Sequence, residues 1–327
     1  MASPNNKKLS ILYILKILQD YSDENHLLTQ KDIAKLLYTN YGMECERKSI
    51  SSNIDALIDM DYDIVKSNNG CYLCSRKFEP SEIQFLIDAV FSSKSIPSKQ
   101  SKELATKLSG LLSNYQKKQY KYIYKADEIN RTSNKQLFYT IDVINEAIEN
   151  GKKIKFNYAR HGFNQDENKK KREYVINPYF LVNSQGKYYL VCNYEYFGDI
   201  ANYKVEKIEN IEILDRDIKP VTALKGYENG IDISKYTNEH IYMFSDAPIR
   251  AVVKVEDEKM VDVIEDWFGA NARLYSQDNN MFAELRVSEL SLIYWCLQYG
   301  ESVELISPET TRKAIKEIVD EMAKKYK

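Results

Sequence analysis

Six residues in the middle of the chain carry its most specific chemistry: Tyr158, Arg160, His161, Tyr189, Lys204 and Lys207. Aromatic faces stack on bases and cations hold phosphates, the pairing that single-stranded nucleic acid or a nucleotide requires. The six fall on stretches that read as strands or strand ends, which a small barrel would draw into one pocket for a negatively charged effector. The competing reading makes Tyr158 and Tyr189 core aromatics and leaves the lysines solvated. A second set lies near the N-terminus. Arg47, Lys48, Ser49, Ser51, Ser52 and Asn53 open one helical pattern, Thr29, Gln30 and Lys31 open another, and Lys66, Asn68 and Asn69 surround a turn. Ser and Asn side chains reach bases or phosphates, and the cations neutralise the backbone of a duplex.

Other chemistry is missing from the pattern. The three histidines, His26, His161 and His240, lie far apart in sequence. No His-Glu-x-x-His, Gly-rich phosphate loop or Gly-x-Ser-x-Gly elbow occurs. Cys71 and Cys74 make one Cys-x-x-Cys, but a zinc site needs a second pair or matched histidines. The two cysteines are expected instead to alternate along a strand. No catalytic set, metal site or cofactor is expected.

A chain of 327 residues leads us to expect two or three domains. Its 43% hydrophobic and 29% charged content is that of an ordinary globular protein. No stretch approaches the roughly 20 apolar residues of a membrane span. Met1 to Lys8 has no apolar core behind a basic start, and five cysteines are odd and few, so a cytoplasmic protein without a signal peptide is expected. The net charge of −2 is unevenly spread. Ser93 to Lys125 holds eight lysines against Glu103 alone, and Gly151 to Tyr174 has eight basic and three acidic residues. Lys225 to Lys327 reverses this, with thirteen basic and nineteen acidic. Screening confines such fields to about 8 Å, so the middle of the chain can hold an anion while its last third is a poor place for one.

The elements that would position these residues follow from periodicity. Ile11, Ile14, Leu15 and Leu18 keep helical spacing. Thr29 with Asp32 resembles a capped start, continued by Ile33, Leu36 and Leu37. A third helix runs from about Arg47 to Asp59, with Ile50, Ile54, Leu57 and Ile58 on one stripe and Lys48, Ser49, Ser51 and Ser52 opposite. Ile64–Lys66 and Cys71–Leu73 flank Ser67-Asn68-Asn69-Gly70, a hairpin turn. Three helices then a hairpin is the order of a winged helix-turn-helix, whose third helix tip enters the major groove. A small helical interaction domain is the alternative, since residues 1–76 carry nine basic and ten acidic side chains and Asp55 and Asp59 share the polar face. Both acids sit in the later turns.

Phe78 to Leu112 reads as a helical arm, and Asn134 to Asn150 as a helix ended by Gly151. The period then changes to two through Ile154–Tyr158, Tyr174–Val182, Lys187–Tyr194 and Ile200–Ile213, about five strands that suggest a closed barrel. At these residues the chain resembles the WYL-domain transcriptional regulators of bacteria. Tyr188-Tyr189-Leu190 stands where that family has Trp-Tyr-Leu, Asn177-Pro178-Tyr179 resembles its preceding Pro-Tyr, and Ile144 to Tyr158 matches its entry into the barrel. Tyr203-Lys204-Val205-Glu206-Lys207-Ile208 matches its stretch of alternating arginines, with lysines at two positions and Ala201 at a third. Lysine keeps the charge and loses the planar fork that suits phosphate. The resemblance implies an SH3/Sm-like barrel with a nucleic-acid-like ligand.

From Ile249 the order is strand, helix, two strands, helix, strand and a last helix from Glu309 to Tyr326, the ferredoxin-like arrangement plus one helix. It resembles the WCX extension of the same regulators, which implies a role in holding two subunits together. Trp295 and Tyr294 share a helix with Leu290, Ile293 and Leu297 and read as core. The expected fold is therefore α+β multidomain. It comprises a winged helix-turn-helix at 1–76, a helical linker at 77–135, a WYL barrel at 136–222 and a ferredoxin-like WCX domain at 223–327. The expected function is a homodimeric transcriptional regulator that binds a double-stranded DNA operator under control of a nucleotide or single-stranded nucleic-acid effector. The rival is an RNA- or single-strand-binding accessory protein without promoter function.

Overall fold

The computed structural model describes residues 9–119, 134–158, 172–194 and 196–327. The chain divides into two units, Met1–Ser133 and Asn134–Lys327. In the first, α1 (Ser10–Tyr21), α2 (Gln30–Tyr41) and α3 (Arg47–Asp59) bury Ile14, Ile17, Leu18, Ile33, Leu37, Ile50, Ile54 and Leu57 in one cluster. Each such side chain contributes about 1.5–3 kcal/mol when taken from water. Ile58 departs from the expected stripe and is 37% exposed. At about 100° per residue it sits some 80° round the helix from Ile50, on the rim of the stripe. The start of α2 is the capping box its sequence announces: Thr29 Oγ1 accepts from the Asp32 amide, and the Thr29 amide donates to Asp32 Oδ2 at 3.0 Å.

The wing is β1 (Ile64–Ser67) paired antiparallel with β2 (Gly70–Leu73). Leu28 adds a bridge to it, exchanging backbone hydrogen bonds of 2.9 Å with Cys71 in both directions. Gly70 makes that bridge possible. Its φ is +134°, and a Cβ there would stand 2.7 Å from the Leu28 carbonyl oxygen. The cysteines do not alternate within the strand: Cys71 is buried in β2, whereas Cys74 lies beyond its end and is exposed.

The helical arm is not continuous. It breaks into α4 (Pro80–Ser92) and α5 (Ser98–Ser109), which pack through Ile83, Ile87, Phe91 and Ala105. Pro97 explains the break, since proline lacks the amide donor and biases its predecessor away from helix. Ser93 is already extended, at ψ 116°. A single turn, α6 (Gln116–Gln119), follows.

The second unit opens with α7 (Leu137–Glu149), which starts three residues later than expected. Then come β3 (Lys152–Tyr158), β4 (Arg172–Ser184), β5 (Lys187–Tyr194), β6 (Ile200–Lys204), a 3-10 turn at Val205–Lys207 and β7 (Ile208–Asp217). Their order is β6-β5-β4-β3-β7, with every pair antiparallel. In a flat sheet β3 and β6 would lie about 14 Å apart, three strand spacings. Yet the Phe156 and Tyr203 rings are 5.4 Å apart and Tyr158 and Tyr203 4.8 Å. The sheet therefore rolls up, and the 3-10 turn joins its two edge strands in place of a ladder. This is the SH3/Sm-like barrel.

A short helix absent from the sequence reading, α8 (Ile233–Glu239), leads into β8 (Pro248–Val255), α9 (Met260–Phe268), β9 (Arg273–Gln277), β10 (Asn280–Ser288), α10 (Glu289–Gln298), β11 (Val303–Ser307) and α11 (Glu309–Lys325). The sheet order β11-β8-β10-β9 is ferredoxin-like. Trp295 is fully buried, edge-on to Phe268 at 5.0 Å. Tyr294 and Leu290, read as core, are instead 57% and 45% exposed. They stand on the opposite side of α10 from Leu292 and Trp295, which face the sheet. Among the described residues, no helix is long and apolar enough to cross a membrane.

Candidate nucleic-acid interface and ligand cavity

The first turn of α3 stands clear of the core. Arg47, Lys48, Ser49 and Ser52 are exposed and Ser51 half-buried, while Ile50 and Ile54 on the other side are sealed. The Glu46 side chain makes no capping bond, so the helix end is open to an acceptor. Asn53 is turned away from this surface: its amide donates to the Ser10 hydroxyl at 3.1 Å and ties α3 to α1. Gln30 and Lys31 are exposed on the first turn of α2, but the Thr29 hydroxyl is committed to Asp32 Oδ2 at 2.6 Å. Those bonds from Thr29 hold the Asp32 carboxyl below the usual range.

On the wing, Lys66, Asn68 and Asn69 are exposed. Lys66 is not an isolated cation. Its ammonium is hydrogen-bonded to Asp55 of α3, so the acid that diluted the polar face is neutralised from the wing. The Ser67 hydroxyl bonds the Gly70 carbonyl and accepts from the Asn69 amide, fixing the turn that displays the asparagines.

A cavity of about 760 Å³ lies between the barrel and the C-terminal layer. Tyr158, Tyr189 and Lys204, three of the six residues singled out in the sequence, line it. Lys207 is on the adjoining 3-10 turn and outside the lining, though its charge is felt at Lys204. Arg160 and His161 fall outside the described residues. Lys204 opposes Tyr189 across β5 and β6, and its backbone amide donates to the Tyr158 hydroxyl at 3.3 Å. Burial, then the neighbouring Lys187 and Lys207, push the Lys204 ammonium below the usual lysine range. Among the described residues neither Lys187 nor Lys204 has a salt-bridge partner, so an anion in the cavity would relieve the repulsion. Tyr189 is 9% exposed and its phenol is raised by burial, so it serves as wall and core together.

The sequence pattern missed the other wall. Tyr242, Phe244, Tyr294, Gln298 and Met322 face the lysines across the cavity. Phe244 stacks on Tyr294 at 5.5 Å, and the Tyr242 hydroxyl donates to Gln298 Oε1 at 2.9 Å. The segment carrying Tyr242 and Phe244 is pinned to the barrel at two carbonyls. Gln185 donates to the Ile241 oxygen at 3.3 Å and Asn202 to that of Met243 at 3.1 Å. Asn202 also accepts from the Tyr236 hydroxyl at 3.0 Å. The barrel wall combines two lysines with two tyrosines and the other wall is mainly aromatic and apolar, an arrangement suited to a ligand with an anionic group and a flat ring system.

Comparison with known proteins assigns two domains: a WYL domain at residues 139–213 and a WCX domain at 247–323. No curated protein matches the sequence. Among solved structures, the chain is similar to proteasome accessory factor B/C (PafBC) of Arthrobacter aurescens, at 15% identity and a TM-score of 0.30. That match covers 97% of this chain and 48% of the other, so this chain spans about half its relative's length. It is also similar to a CRISPR Cas-related protein at 17% identity and a TM-score of 0.38, covering 100% of this chain and 87% of that one. The two domain matches fall on the barrel and the ferredoxin-like layer that the cavity separates, so the chain carries a WYL domain followed by a WCX domain.

Proposed function

We propose that the protein is a transcriptional regulator that grips duplex DNA with its N-terminal head and acts as a homodimer on a two-fold operator. The observation that carries this reading is the open, polar first turn of α3 beside an exposed wing, on a head whose opposite face is closed. Two heads would enter successive major grooves about 34–36 Å apart. The cavity between barrel and C-terminal layer takes the effector, an anionic molecule with a stacking ring such as a nucleotide or a short single strand. Effector binding shifts the DNA-bound population only by its difference in affinity for the two states. A regulator of this kind works in the cytoplasm.

The test is anisotropy with duplexes selected from a random pool. Lys48→Ala with Ser52→Ala removes groove contacts from an exposed surface and is expected to abolish retention while leaving the melting temperature nearly unchanged. Retained binding would count against the reading. The rival, a single-strand binder, predicts the opposite ranking, in which Tyr189→Ala and Lys204→Ala weaken nucleic-acid binding more than changes at Lys48. Comparing duplex with single strand over a salt series separates the two, because phosphate contacts give steep salt slopes.

A further inference from the structure

Among the described residues, hydrogen bonds and a ring stack tie the arm to the head. The apolar cluster around Ile14, Ile33 and Ile50 and that of the α4–α5 pair have no residue in common. At the last residue of the head, where the arm begins, the Arg76 guanidinium donates to the carbonyls of Gln19 at 2.8 Å and Ser22 at 2.7 Å. The Asn114 amide donates to the Asp20 carbonyl at 2.8 Å, and the Ser113 hydroxyl to Asp23 Oδ2 at 3.0 Å. Tyr115 lies flat on His26, with ring centroids 3.6 Å apart. Asp23 is the hub. It is 7% exposed, and its other oxygen receives His26 Nδ1 at 2.7 Å and the Asn25 amide at 3.1 Å.

The turn held in this way leads directly to both surfaces that face DNA in our reading. Ser22 Oγ accepts from the Leu73 amide at 3.1 Å, so the turn is bonded to the wing strand β2. Leu28, at its far end, bridges Cys71 in the same strand. The next residue, Thr29, caps α2. A movement of the arm that pulls on Asp23 therefore reaches the wing and the start of α2 without repacking the three-helix core. A groove of about 580 Å³ between Gly110 and Leu111 on one side and Lys16 and Asp61 on the other leaves room for such movement.

We propose that the Asp23 turn is the joint through which the arm sets the posture of the wing and of the first turn of α2. The proposal rests on the duplex-binding reading, so its test has one readout that does not. In the full chain, Ser113→Ala and Tyr115→Ala alter only the arm's side of the joint. Hydrogen exchange is expected to speed up at the Leu28 and Cys71 amides while Ile33 and Leu37 stay protected. Affinity for the selected duplex is expected to fall about fivefold or more, the low end of measured coupling between sites. Ser113→Thr, which keeps the hydroxyl, should restore both. Wild-type exchange at Leu28 and Cys71 in both variants overturns the joint, as does faster exchange with unaltered duplex affinity. If the Lys48 and Ser52 pair has already proved dispensable for duplex binding, the DNA reading has failed by itself and the exchange rates alone decide the joint.

Discussion

Replacing Lys204 by Met tests the cavity from both directions at once. Met keeps the length of the stem and removes the charge. Lys204 is partly buried beside Lys187 and Lys207, whose repulsion the more weakly acting Glu206 does not cancel, and among the described residues it makes no salt bridge. Repulsion between partly solvated charges is worth about 0.2–1 kcal/mol for each pair, so removing Lys204 should stabilise the second unit by about 1 kcal/mol. For a unit of this size that raises the melting temperature by about 2–4 °C. Because burial and its neighbours lower the Lys204 pKa in the folded state, the penalty is fully present at neutral pH. It fades as pH rises toward the unfolded lysine value of about 10.4, so the gap between variant and wild type should close there. With an anionic probe the order reverses. A short thymidine oligonucleotide at about 100 times its Kd should stabilise the wild type by about 2.7 kcal/mol. The variant lacks one charge-assisted bond of about 1.5–3 kcal/mol and should lose most of that gain. Scanning fluorimetry with and without the oligonucleotide reads both effects. A variant that melts lower when empty, or responds to the oligonucleotide as the wild type does, refutes the argument.

Three more outcomes follow from the head. Asp55→Asn releases Lys66 from its partner; duplex affinity should rise and the slope of log K against log salt steepen by about 0.9, the value of one further phosphate contact. Gly70→Ala places a Cβ 2.7 Å from the Leu28 oxygen at a φ of +134°; it should break the Leu28–Cys71 bridge and lower the head's melting temperature, read by circular dichroism. Burial alone would raise the Asp23 carboxyl, but hydrogen bonds from His26, Ser113 and Asn25 outweigh it and leave it below the usual value. Its stabilising contribution is therefore whole above the unfolded carboxylate value near 3.9 and is lost as pH falls through the lower folded value. Asp23→Asn should accordingly flatten the acid limb of the head's stability curve.

Local patterns in the chain announced local structure well. Thr29 with Asp32, the Ser67–Gly70 turn and the strand over Lys187–Tyr194 involve neighbours in sequence, and each forms as read, although Tyr189 to Asn193 are buried without alternation because both faces of that strand are covered. Lys187, a cavity cation that the sequence reading missed, lies two residues before Tyr189 and on its side of β5, a spacing by which period two would have found it. What the patterns could not convey was which polar groups are already spent. Asn53 and Ser10 are forty-three positions apart, and Lys66 and Asp55 belong to different elements. The second wall of the cavity was hidden for the same reason, since nothing near Tyr189 points to Tyr242 or Phe244. Helical periodicity in α10 identifies two faces but not which one the sheet covers, and so Tyr294 was misassigned.

Asn202 stands where the two walls are joined, accepting a hydrogen bond from the Tyr236 hydroxyl and donating one to the Met243 carbonyl. A carboxamide in that position reports on the seam it closes. Labelled with nitrogen-15, its side-chain resonance becomes an internal gauge of whether barrel and ferredoxin-like layer are clasped or parted, legible in the intact molecule while every lysine is left in place.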